Sequence, residues 1–167
     1  MRDHQSVVGI IFSKDRKKVL LLKRRDVPVW VLPGGGVENT ESLEKAVLRE
    51  VWEETGLQTR LVRKVGEYSP LNRLARHTHL YECEGLSGKL TTGEETREIQ
   101  FFPLDQLPKL LPPPYPEWIK EAYQKLPLIK RSLTSVNYTN FCRFLIFHPI
   151  LVIRFLLQRL GVPFNSK

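Results

Sequence analysis

Hydrophobic residues come in short blocks along most of this chain, and one stretch follows a helical period instead. QSVVGIIFS (5–13) and VLLLKRR (19–25) are apolar runs separated by polar KDRKK, which predicts two strands joined as a hairpin. Pro28 and Pro33 bracket VWVL, a short extended piece. The glycines at 34–36 predict a loop, since glycine gives up side-chain packing and costs backbone entropy in regular structure. Leu43, Ala46, Val47 and Val51 then recur at spacings of three and four, the buried stripe of a helix. Thr40 or Ser42 supplies its N-cap and Gly56 its stop. Further strands are expected at about 58–68, 76–84 and 98–104, with GKLTTGEET as a loop and DQLPKL as one helical turn. LPPPYP (111–116) reads as a stiff connector before a helix at 117–126. Strands, one strong helix, more strands and a late helix predict a layered α/β fold with a mixed sheet, without the regular alternation of a doubly wound one.

The strong helix carries an arrangement that local energetics oppose. Glu50, Glu53 and Glu54 stand at i, i+3 and i+4, so they are neighbours on one face. Like charges at that spacing repel, and the last turn of a helix disfavours anions. A solvated acidic face is the ordinary explanation. A divalent cation is the functional one, because it reverses the sign of the cluster; Mg²⁺ suits such hard oxygen donors and works with phosphates. The glycine run just before the helix lets the backbone approach a ligand or metal. Arg49 adjoins the cluster, and Glu41 lies two helical turns earlier, where it can hold the guanidinium.

Composition narrows the rest. The chain has 167 residues, 41% of them hydrophobic, enough for one ordinary domain with length to spare. Its two cysteines, Cys83 and Cys142, lie too far apart for a zinc motif and suggest no disulfide framework. The beginning, MRDHQSVVGIIFSKD, turns polar too soon for a secretory signal, so a cytoplasmic protein is expected. The net charge is +8, and residues 127–167 hold Lys130, Arg131, Arg143, Arg154, Arg159 and Lys167 with no acid, leaving 1–126 near balance. A nucleic-acid partner is therefore not expected from charge alone.

The segment LPGGGVENTESLEKAVLREVWEETGL resembles the Nudix box, G-x5-E-x7-R-E-U-x-E-E-x-G-U with U aliphatic. Gly35, Glu41, Arg49, Glu50, Val51, Glu53, Glu54, Gly56 and Leu57 fill every fixed position, and the resemblance extends over roughly 5–126. It implies a Nudix-type α/β/α sandwich with a mixed sheet, and a hydrolase that uses Mg²⁺ or Mn²⁺ to cleave a nucleoside diphosphate linked to another group. By resemblance, Glu50, Glu53, Glu54 and the Gly35 carbonyl are the metal ligands, and Glu41 and Arg49 hold loop and helix in register. Such families often add an acid from a later loop; of Glu94, Glu95 and Glu98, Glu98 is preferred and Glu95 comes second. One of Glu53, Glu54 and Glu98 is the expected proton acceptor.

Substrate signals are thinner. Lys23, Arg24 and Arg25 close the second strand and either meet phosphates or are simply solvated; Arg24 and Arg49 are the candidate substrate contacts. Trp30 either stacks on a base or packs on the sheet. His77 and His79 are expected on an exposed strand face. Pro70, and the stretch EETREIQFFPLDQLP, resemble relatives that cleave ADP-ribose, other sugar nucleotides or modified nucleoside triphosphates. ADP-ribose or another sugar or choline nucleotide leads, followed by an oxidised nucleoside triphosphate such as 8-oxo-dGTP. A non-catalytic nucleotide sensor is the competing class; sensors of this type usually lose box glutamates, and this chain keeps them.

The tail is separate from that domain. Residues 139–161 place Cys142, Leu145, Ile146, Ile150, Val152, Ile153, Leu156, Leu157 and Leu160 on one apolar arc of a predicted helix, kinked or restarted at Pro149. Arg143, Arg154 and Arg159 interrupt any membrane-spanning run. Two readings stay level: an amphipathic helix on an anionic membrane, at the inner face of a cell membrane, and packing on the domain or across a homodimer.

Overall fold

A computed structural model of the chain describes residues 5–73, 75–139, 146, 149–151, 153 and 154. The elements are β1 (Gln5–Ile11), β2 (Lys18–Arg24), β3 (Trp30–Val31), β4 (Gly34–Gly36), α1 (Leu43–Thr55), β5 (Leu57–Ser69), β6 (His77–Gly88), β7 (Thr96–Pro103), α2 (Tyr115–Tyr123) and β8 (Ile129–Ser132). A five-stranded sheet runs β4-β1-β6-β5-β8 and a three-stranded sheet runs β3-β2-β7. β1 pairs parallel with β6 and β5 parallel with β8, whereas the other pairings are antiparallel, so the larger sheet is mixed.

The continuous apolar runs of β1 and β2 follow from burial on both faces. Val8, Ile10, Val19 and Leu21 turn to one core, where α2 brings Trp118, Ile119 and Ala122. Val7, Ile11 and Leu20 turn to the other, where α1 brings Ala46, Val47 and Val51. The result is the expected α/β/α sandwich.

Several local expectations change. The predicted β1–β2 hairpin survives only as its turn: Ser13 N–H donates to Lys18 O (2.9 Å), Phe12 bridges Val19, and the strands then part into different sheets. The glycine run is an edge strand, paired antiparallel with β1 through Val7↔Gly35. It can lie there because a Cβ on Gly34 would collide with the Val7 carbonyl. Residues 104–110 form turns rather than a helical one. α2 starts at Tyr115, inside the proline stretch, capped by Pro114. His79 is not on an exposed face: it is 5% exposed, on a strand paired on both sides.

β8 was not foreseen. It adds a strand to β5 beyond the boundary expected at residue 126, and Leu133 just after it is buried in the α2-side core. In the tail, the described residues at 146, 149–151, 153 and 154 are helical. Leu151 packs against the cluster of Leu22, Val27, Val29 and Val31, whereas Ile146, Ile150 and Ile153 are exposed. Among the described residues no helix is long and apolar enough to cross a membrane. The rest of the predicted tail helix lies outside the described residues.

Candidate active site

The site begins with how α1 is held. Ser42 caps its N-terminus by accepting from Lys45 N–H (3.3 Å), and Gly56 ends it in the left-handed conformation (φ 73°) with its N–H on Trp52 O. A Cβ on Gly56 would sit 2.7 Å from the Lys89 carbonyl, because residues 89–95 fold over this helix end. Thr91 N–H donates to the otherwise orphaned Thr55 O (2.9 Å), which fixes that loop against the helix. Between β4, α1, the end of β2 and this loop lies a cleft of about 880 Å³. Gly34, Gly35, Gly36, Glu50, Glu53, Glu54 and Arg24 line it, and residues 91–96 close its side.

The glycine strand and the glutamates fit each other closely. Gly34 N–H donates to Glu54 Oε2 (2.8 Å). A Cβ on Gly35 would come 2.5 Å from Glu50 Oε1, so only glycine leaves the carboxylate its place. Burial pushes the Glu54 carboxyl up to about 7, against the opposing pull of the Gly34 N–H. Burial also raises Glu50, outweighing its contact with Arg49. Glu53 is more open, its side chain 47% exposed.

Arg49 ties the motif together. Its guanidinium donates to Glu41 Oε2 (3.1 Å) and Oε1 (2.6 Å), to Gly36 O (3.1 Å), to Glu50 Oε1 (3.0 Å) and to Glu53 Oε2 (3.1 Å). The Glu41 hydrogen bonds raise its pKa and hold Glu41 below the usual carboxylate range. One cation thus links β4, the loop and two of the three clustered glutamates, which offsets the repulsion that the helix alone would suffer.

The other predicted residues divide. Arg24 lines the cleft, fixed by Asp26 through a bidentate pair (2.9 and 2.6 Å), with Glu95 Oε2 at 4.0 Å. Trp30 is not among the lining residues: the ring packs edge-on against Phe102 at 4.6 Å in the core and is 9% exposed, which leaves it little face to offer a base. Glu98 is also displaced. β2–β7 register sets it opposite Lys23, to which it is hydrogen-bonded at 3.0 Å, and neither residue is among those that line the cleft. Glu94 and Glu95 line the cleft in its place. Asp26, Trp52 and Thr96 at the site were not anticipated; a tryptophan off the apolar stripe and flanked by box residues was a signal for the second.

The donor set is all hard oxygen, two of its carboxylates are partly buried, and Gly35 leaves room beside one of them, so these residues fit a Mg²⁺- or Mn²⁺-type ion. Among the described residues no three ligating side chains already converge as a cage, and Arg49 instead bridges Glu50 and Glu53.

The NUDIX domain profile matches residues 3–126. An ADP-ribose pyrophosphatase of Methanocaldococcus jannaschii is 40% identical over 111 residues, which are 63% of this chain and 64% of that protein. A putative 8-oxo-dGTP diphosphatase of Bacillus subtilis is 35% identical over 105 residues, 62% of this chain and 70% of its own. The crystal structure of an ADP-ribose pyrophosphatase from Streptococcus suis superposes with a TM-score of 0.65 at 27% identity, covering 79% of this chain and 99% of that one. With the box geometry intact beneath these likenesses, the chain belongs to the Nudix hydrolase family.

Proposed function

We propose that this protein is a divalent-metal-dependent pyrophosphohydrolase that splits the diphosphate linkage of a nucleoside diphosphate derivative, with ADP-ribose the leading substrate. The observation that carries this reading is the half-buried Glu54 carboxylate, held on the Gly34 N–H beside Glu50 and facing the cleft that Arg24 shares. The names of the archaeal and streptococcal relatives support the choice of ADP-ribose.

Glu50, Glu53, Glu54 and the Gly35 carbonyl are the groups that would hold Mg²⁺ or Mn²⁺. When bound, the ion neutralises phosphate oxygens and acidifies coordinated water. Arg24, prevented by Asp26 from swinging away, presents its guanidinium to a phosphate. Glu53 or Glu54 takes the proton of the attacking water, with Glu95 as the loop acid nearest Arg24. Water adds to one phosphorus and the other phosphate leaves, so ADP-ribose yields AMP and ribose 5-phosphate.

Product analysis tests this on ADP-ribose, other sugar and choline nucleotides, dinucleoside polyphosphates and 8-oxo-dGTP, with and without Mg²⁺. Metal-dependent AMP release is expected, and Glu54→Gln is expected to lower kcat by at least about 100-fold. Preference for 8-oxo-dGTP would favour the second reading, which the Bacillus subtilis relative supports. Tight nucleotide binding without turnover would replace both with a sensor.

A further inference from the structure

Among the described residues Trp52 is the sole aromatic that lines the cleft, and it is 55% exposed. Leaving so large an apolar surface in water forfeits the stabilisation that burial gives a tryptophan. The fold does not put it there for packing: Ala46, Val47, Val51 and Thr55 form the buried face of α1, and Trp52 lies off it. Its backbone is also fixed. Its carbonyl accepts the Gly56 N–H, and Thr91 is bonded to the next turn at Thr55 O. A Cβ on Gly93 would collide with the Glu53 carbonyl, so the loop backbone rests directly on the helix one residue on from Trp52. Thr92, exposed on that loop, adds a hydroxyl to the same wall.

Charge decides what this wall accepts. Among the described residues Arg24 is the one cation lining the cleft, and it adjoins Glu95 and its strand partner Thr96, whereas Trp52 is followed by the acidic Glu53 and bonded through its backbone to Gly56, against which Thr91 packs. A second anionic group gains nothing from those neighbours. An uncharged planar group does, because an aromatic ring stacks on any base face. We infer that Trp52, with Thr91 and Thr92, forms the subsite for the nucleobase of the substrate, the role that Trp30 is too buried to fill. This inference rests on the nucleotide-hydrolase reading above.

Intrinsic fluorescence provides a direct test, since Trp30 and Trp118 are buried and Trp52 is the exposed tryptophan. Titration of the full-length protein with ADP is expected to quench its emission, and titration with inorganic pyrophosphate is not. Trp52→Phe should lose the quench yet keep ADP affinity within a few-fold, and Trp52→Leu should weaken ADP binding roughly tenfold. In steady-state hydrolysis of ADP-ribose, Trp52→Leu should raise KM by about the same factor and leave kcat within twofold, the pattern of lost uniform binding. Unchanged ADP affinity and KM in Trp52→Leu, with wild-type turnover intact, would overturn the subsite and leave the proposed hydrolase standing. If the wild-type protein cleaves none of the substrates, the hydrolase reading fails, and the ADP quench then decides the subsite alone.

Discussion

His79 illustrates how much a single side chain's surroundings matter. It is 5% exposed, neither ring nitrogen has a hydrogen-bond partner among the described residues, and burial, with Lys64 and His77 adding to it, pushes its pKa down to about 4. The unfolded chain, with an ordinary imidazole near 6.5, binds a proton first as pH falls. Its contribution to stability is therefore complete above pH 6.5 and is lost as pH falls from there towards 4. Urea unfolding at pH 7.5 and 4.5 should show the wild type losing roughly 2–3 kcal/mol more than His79→Leu across that interval. Parallel losses in the two proteins would refute the assignment. The box glutamates were legible in the sequence because helical spacing alone makes them neighbours. His79 and Glu98 were not, since a strand residue's face depends on which partners flank it and in what register, and both are set by distant segments.

Between elements, the closest fit is that of β4 to α1. Sequence logic assigned the glycine run to a loop because glycine weakens a strand, and that cost is real. What it could not weigh was the approach of the Glu50 carboxylate to Gly35 on one side and of the Val7 backbone to Gly34 on the other. The β1–β2 hairpin misled for a related reason: its turn was readable, but the parting of its strands follows from β1 pairing with β4 and β6. Gly35→Ala makes the fit measurable. The added methyl displaces the flexible end of Glu50, so stability should change little, with Tm within a few degrees. Activity should fall by about 10- to 100-fold, as expected when a reacting group is misplaced by around an ångström. Kinetics beside thermal unfolding check this; equal activity in the two proteins would show that Glu50 has room to spare.

Over the whole molecule, the folded unit outruns the region that the family profile recognises. The profile match ends at residue 126, yet β8 pairs with β5 from Gly66↔Ile129 to Ser69↔Ser132. Arg131 reaches back to Glu121 Oε1 (2.5 Å), a carboxylate only 8% exposed that also accepts the Tyr68 hydroxyl. Leu133 donates its N–H to Ser69 O and buries its side chain against the α2-side core. Removing residues after 126 would strip these contacts, leave β5 as an open edge and deprive a buried carboxylate of its cation. A 1–126 fragment should accordingly be less stable than a 1–139 fragment by about 3 kcal/mol or more. Urea midpoints of the two fragments at one pH measure this difference. Equal stability of the two fragments would mean that β8 is an ornament on a sheet already complete. The expected gap would instead make β8 part of the scaffold that holds β5 and β6 under α1, and so part of what fixes the glutamates in the cleft.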